Sequence, residues 1–230
     1  YAGSNTIKVD GEELLIYPPK EPAAVKKGID DFPTFTRAMQ NADMTSTLQT
    51  GSFATRQAYG IALRELGKNY DDVWVFDADV SNSTFAQTFS QEPEQADRFV
   101  ECKIAEQNMI SAAVGASCDG KVPFCSSFSK FLTRAYDQIE MGLYSGANLK
   151  IVGSHSGISL AADGPSQMSL PDVAWFRSLG SVKDHNGFPG CYVLQPADAF
   201  ASYRLTKQMY DHNGLCYMRT HRPNVEFLYD

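Results

Sequence analysis

The sequence predicts an α/β domain in which a parallel six-stranded sheet carries helices on both faces, preceded by an extended N-terminal arm. Three observations lead there. Six short apolar runs recur along the chain: Val73–Asp77, Arg98–Cys102, Val122–Cys125, Leu149–Ser154, Cys191–Pro196 and Leu215–Thr220. Between them lie segments whose apolar residues repeat at helical spacing. The runs are apolar throughout rather than alternating, as strands covered on both faces of a parallel sheet are.

Residues 1–51 combine an acidic turn (Asp10–Glu13), the proline-rich IYPPKEP and a polar stretch without sustained periodicity. They read as an arm with one short helix near Phe35–Met39, and the domain proper is placed at 52–230. From Thr55 onward Ala58, Ile61, Ala62 and Leu66 form a helical stripe ending near Gly67, and VWVFD follows as a strand ending in acid. DADVSNSTF (Asp77–Phe85) is a polar loop, followed by a short helical turn and the second strand. Met109, Ile110, Ala113, Val114 and Ala116 then repeat at helical spacing, so a helix starts near Glu106. The stretch Ser127–Leu143, with Phe131, Leu132, Ala135 and Ile139 on one face, predicts another helix after the third strand. The fourth strand runs into HSGISLAADGPSQ, a helix spans about Pro171–Leu179, and a helix over Asp198–Tyr210 can be capped by Asp198. The long connection Ser181–Gly190 reads as a surface loop or a partner contact.

With 230 residues, 43% of them hydrophobic, the chain can bury a sizeable core. A formal charge of -7 argues against a broad nucleic-acid or anionic-membrane surface, so neither is expected as a partner. Five cysteines without a C-x-x-C pair, several of them in apolar runs, suggest reduced thiols, no metal site and a cytoplasmic setting. No apolar run approaches the roughly 18 residues of a membrane span. Tyr1 opens neither a signal nor a transit peptide, and a start without Met suggests an excised or trimmed piece.

The candidate chemistry gathers where strands end. Glu106 stands where a strand hands over to a helix, the edge at which open α/β sheets bind ligands, although an acid is also favoured in any first helical turn. Phe128 and Phe131, three residues apart, could form an aromatic platform or simply pack in the core. His155 follows the fourth strand, and Arg222 lies near the end of the sixth, with Arg219 three residues away as its rival. There is no G-x-G-x-x-G, no P-loop, and no GDG followed by an asparagine.

Taken together, IAEQNM (Ile104–Met109), FxxFxTRA (Phe128–Ala135), GSHSG (Gly153–Gly157) and DGPSQM (Asp163–Met168) resemble the pyrimidine-binding domain of transketolases. Those thiamine-diphosphate enzymes move two-carbon ketol units from a ketose phosphate to an aldose phosphate, in the pentose phosphate pathway. Further matches, ATRQAYG, NSTF and RTHRP, extend the resemblance from about Ala54 to Pro223. It implies that Glu106 keeps the cofactor's N1′ protonated, that Phe131 stacks on the pyrimidine with Phe128 also at the cofactor, and that Gln167 lies against the cofactor. His155, a catalytic candidate with Glu106, and Asp163 would contact ketose hydroxyls, while Arg56, Ser83 and Arg222 would grip the sugar and its phosphate. Without the GDG pattern, the chain would supply only the pyrimidine half. The diphosphate and Mg²⁺ would then belong to another domain, upstream or on a separate polypeptide, and paired chains would pack around the Glu106 helix as a homodimer. A 1-deoxyxylulose 5-phosphate synthase or dihydroxyacetone synthase domain is the enzymatic alternative, and a non-catalytic interaction module is another.

Overall fold

The computed structural model describes residues 6–9, 11–15, 32–184 and 187–229. An antiparallel hairpin, β1 (Thr6–Val9) and β2 (Glu12–Leu15), opens the chain. The proline-rich stretch 16–22 lies outside the described residues. Two helices follow, α1 (Phe35–Asn41) and α2 (Thr45–Leu48), so this region holds a hairpin and a second helix besides the one short helix the sequence predicts. Thr34 starts α1 by accepting the Arg37 amide at 3.3 Å.

The remaining elements are β3 (Ser52–Ala54), α3 (Thr55–Asn69), β4 (Val73–Asp77), α4 (Ser81–Thr84), α5 (Gln87–Ser90) and β5 (Phe99–Glu101). Next come α6 (Glu106–Cys118), β6 (Val122–Phe128), α7 (Tyr136–Tyr144), β7 (Lys150–Ser154), α8 (Asp172–Gly180), β8 (Cys191–Leu194), α9 (Ala199–Asp211), β9 (Leu215–Arg219) and β10 (Asn224–Glu226). Six strands form one sheet in the order β5-β4-β6-β7-β9-β8, every pair parallel. β10 returns antiparallel to β3.

Successive strand residues point to opposite faces, and the two cores divide accordingly. Val75, Phe124, Val152 and Cys216 pack with α1, α3 and α9. Their neighbours Phe76, Cys125, Ile151 and Tyr217 pack with α6, α7 and α8. Phe35, Ala38 and Met39 of α1 join the first core, against Tyr203 and Phe53. Burying each such aromatic or aliphatic side chain contributes about 1.5–3 kcal/mol. Asp198 caps α9 as its sequence position suggests, accepting the Ala201 amide at 2.8 Å, and its other oxygen takes the amides of Leu228 and Tyr229.

One predicted element is wrong at its start. The segment from Ser127 is not helical: β6 continues through Phe128, a 3₁₀ turn spans Phe131–Ala135, and the helix begins only at Tyr136. The serines at that point are paired across the sheet, Ser126 with Val152 and Ser127 with Gly153, and the Ser126 hydroxyl is satisfied by Tyr59 at 2.8 Å. In the Ser181–Gly190 connection, Lys183 bridges Pro189 and the Phe188 amide donates to Asp184 at 2.8 Å. All five cysteines are free thiols, and four of them are buried. No helix among the described residues is long and apolar enough to cross a membrane.

Chain order reverses beside β4: the chain leaves it for β5 on one side, then returns to β6 on the other. That reversal opens a crevice beyond the carboxyl ends of β4 and β6. Its wall depends on Gly60 in α3, where an added Cβ would come within 2.6 Å of the Phe85 carbonyl oxygen. Gly60→Ala should therefore destabilise the fold by about 1–3 kcal/mol by overpacking. Urea denaturation checks this; an unchanged midpoint would show that the loop after β4 yields freely.

Candidate active site

A cavity of about 340 Å³ opens at that crevice, lined by Arg56, Asn82, Ser83, Phe85, Phe128, His155, Leu160, Asp163, Gln167 and Arg222. Each strand end supplies a part. β4 ends in Asp77, a fully buried carboxylate that takes the Val80 amide at 2.8 Å and the Thr84 hydroxyl at 2.7 Å. These bonds wind the chain into α4 and present Ser83 to the cavity. β6 delivers Phe128 and β7 delivers His155. The long loop after β7 is closed where the Gly157 amide meets the Ser169 carbonyl at 2.8 Å, and Asp163 and Gln167 of that loop line the same cavity as His155.

Arg56 stands at the start of α3 and donates from Nη1 to the Ser83 carbonyl at 2.7 Å, with His155 Nε2 at 3.4 Å. A guanidinium only donates, so Nε2 accepts and the imidazole proton lies on Nδ1, which donates to Ser154 Oγ at 2.8 Å. His155 is 2% exposed and packs its ring 4.1 Å from that of Phe128. Burial, then the charges of Arg56 and Arg222, lower it from an ordinary 6.5 to about 4, so the ring is neutral near pH 7. Arg56 Nε is buried without a partner, and burial and the Arg222 charge both disfavour the Arg56 cation. Two guanidiniums crowded beside an unspent donor suit an anionic ligand.

Of the two rival arginines, Arg219 is occupied. Its Nε donates to the buried Asp172 at 2.7 Å, and Tyr217 donates to the same oxygen at 2.7 Å. Arg222 faces the cavity, half exposed, 3.7 Å from Asp163. Burial pushes Asp77 up to about 7, beneath the loop that carries Ser83. The same edge collects left-handed backbone outside glycine: Asp79, Phe85, Lys103 and His155 have φ of 64°, 66°, 58° and 55°. Such strain persists where the surroundings enforce it.

Glu106 and Phe131 lie outside the cavity lining but connect to it. Glu106, 2% exposed at the first turn of α6, accepts from Arg134 Nη1 at 2.8 Å. Arg134 lies over the Phe131 ring at 4.8 Å, and Phe131 stacks on Phe128 at 5.1 Å with 16° between the planes. A buried carboxylate beside a flat aromatic pair suits a protonatable heterocycle. Among the described residues, no three His, Cys, Asp or Glu come together in a way that could hold a metal ion. Sequence reasoning gave no role to Asp77, Arg134, Asn82, Phe85 or Leu160. Asp77 was signalled by an apolar strand ending in acid, and Arg134 by its place in FxxFxTRA.

A parallel α/β sheet with this polar crevice defines a small-molecule or cofactor-binding domain. Residues 51–226 match the family model described as transketolase, pyrimidine binding domain, and the chain belongs to that family. It is 43% identical over 208 residues to transketolase-like protein 2 of Mus musculus, an alignment covering 89% of this chain and 31% of the relative. It is 46% identical over 177 residues to Mus musculus transketolase, covering 76% and 27%. The chain thus spans less than a third of these curated relatives. Among solved structures, a split-gene transketolase in an inactive β4 tetramer is 33% identical with a TM-score of 0.64, covering 77% of this chain and 54% of that one. Transketolase from Campylobacter jejuni shares the fold with a TM-score of 0.68 at 19% identity, covering 78% and 27%.

Acid should act on this site with a definite sign. As pH falls through 6.5 the unfolded chain binds a proton that His155 refuses until about pH 4, so the folded state loses stability across that window. Asp77 works oppositely: its carboxyl favours the folded state at low pH, a contribution lost as pH rises through about 7. His155→Asn, which tolerates the left-handed backbone, should lose less stability than the wild type between pH 6.5 and 4 in urea titrations. Parallel curves would mean that the imidazole is solvated.

Proposed function

We propose that this chain is the pyrimidine-binding part of a transketolase, which moves a two-carbon ketol unit from a ketose phosphate to an aldose phosphate with thiamine diphosphate. The observation that carries this reading is the unbroken run Glu106–Arg134–Phe131–Phe128–His155, which joins a buried carboxylate to the two-arginine cavity. Bound thiamine diphosphate would supply the nucleophilic carbon that takes up and hands on the two-carbon unit. Glu106 would hold a proton at the pyrimidine N1′, with Phe128 and Phe131 offering ring faces and Gln167 a polar contact. Neutral His155, its proton committed to Ser154, would accept a ketose hydroxyl at Nε2 in place of the long 3.4 Å contact from Arg56, which keeps its 2.7 Å bond to the Ser83 carbonyl, and Asp163 would orient a second hydroxyl. Arg56, Arg222 and Ser83 would grip the phosphate.

The diphosphate and Mg²⁺ are assigned to another domain, since the sequence has no GDG motif and the relatives are much longer. A second copy would pack on α6 and α7, where Ser111, Ala112 and Gly115 lie open beside exposed Met141 and Tyr144.

Mixing the chain with a transketolase diphosphate-binding domain, thiamine diphosphate and Mg²⁺ should restore ketol transfer that the chain alone lacks; no transfer from a folded mixture would refute the proposal. In that mixture Glu106→Gln should lower turnover by about 10²–10⁴, as for other general acids, with sugar affinity nearly unchanged. Arg56→Ala or Arg222→Ala should do the converse, raising the half-saturating concentration of phosphorylated sugars more than they lower turnover. Equal effects of all three on both constants would contradict these roles.

A further inference from the structure

Glu101 ends β5 and makes two contacts that the pairing of strands does not require. Its Oε1 accepts the Asp79 amide at 3.0 Å and the Lys103 amide at 2.8 Å. Both donors belong to residues in left-handed backbone, φ 64° and 58°, so one oxygen secures two conformations that side-chain-bearing residues rarely adopt. The sheet itself continues through a backbone bond, Cys102 amide to Asp77 carbonyl at 2.8 Å, and would do so without the carboxylate.

The two amides lie on different loops. Asp79 leads into α4 and Ser83, a loop that Asp77 holds from beneath through Val80 and Thr84. Lys103 leads to Glu106: its carbonyl accepts the Ala105 amide at 2.7 Å, and the Ala105 carbonyl accepts the Met109 amide at 2.9 Å as α6 begins. Glu106 is the next residue after Ala105. We infer that Glu101 is a positioning residue, a clamp that fixes the loop presenting Ser83 to the turn that aims Glu106. A carbonyl-type oxygen suits the task, because its two lone pairs can accept both amides at once. The carboxylates of Asp77 and Glu101 grip the loop after β4 from two sides, and of the two carboxylates it is that of Glu101 that also bonds the second loop. The catalytic consequence rests on the role proposed for Glu106 above; the clamp itself does not.

Amide exchange followed by NMR on the chain alone tests the clamp. In Glu101→Ala, the Asp79 and Lys103 amides should exchange about tenfold faster, the loss of one hydrogen bond each, while those of Phe76 and Cys125 in the strands keep their rates. Glu101→Gln, whose amide oxygen still accepts, should stay close to the wild type. Unchanged exchange at either amide in Glu101→Ala, or equal loosening in Glu101→Gln, would overturn the inference.

The reconstituted enzyme tests the consequence. Glu101→Ala should lower turnover and raise the half-saturating sugar phosphate concentration. Placed on Glu106→Gln, it should leave turnover unchanged, because the acid it positions is gone, while the half-saturation effect remains. An equal drop in turnover on both backgrounds would overturn the link to Glu106. If the wild-type mixture transfers no ketol unit, the functional reading falls and the exchange rates still decide the clamp.

Discussion

The site depends on the register of one strand. β6 is buried along its whole length and hydrogen-bonded on both sides in parallel, Asp77 opposite Ser126 and Phe128 opposite Ser154. A strand so enclosed cannot slip by one residue without moving every side chain to the wrong face and disrupting both cores. Register therefore brings Asp77, Phe128 and His155 to one edge. From there the loops have short distances to cover, and Arg56, carried in on α3, completes the cavity.

Electrostatics at that edge follow from burial more than from charge count. The chain is acidic overall, yet the cavity presents two guanidiniums and a neutral imidazole. The acids nearby are spent on structure: Asp77 on the loop after β4, Asp172 on Arg219 and Tyr217, Glu101 on two amides. Asp163 is the acid among the lining residues, half exposed and facing Arg222. Left-handed residues collect here because loops leaving parallel strands must turn sharply while keeping their amides paired, and carboxylates supply the acceptors.

Strand positions were legible because apolar runs report burial on both faces, and the helix starting at Glu106 because its apolar residues repeat at helical spacing. Family motifs named the cavity residues Arg56, Ser83, His155, Asp163, Gln167 and Arg222, which the fold assembles from five separate segments. What misled was polarity inside a buried strand. The sequence predicts that this strand ends at Cys125 and that a helix begins at Ser127, whereas Tyr59 and the register with β7 keep Ser126 and Ser127 in the strand. Arg222 and Arg219 are equivalent in sequence, and only the position of Asp172 on α8 separates them. Asp77 showed in the sequence only as the acid ending an apolar strand, and Glu101 was illegible, since the Asp79 amide becomes its neighbour only after the sheet forms.

The central claim is that this domain offers half of a thiamine diphosphate site, with the diphosphate and metal ligands lying elsewhere. Titration calorimetry of thiamine diphosphate and Mg²⁺ tests it most directly, on the chain alone and then with a diphosphate-binding domain present. The account predicts no tight binding by the chain alone and sub-micromolar, Mg²⁺-dependent binding by the pair. Sub-micromolar, Mg²⁺-dependent binding by the isolated chain would contradict it.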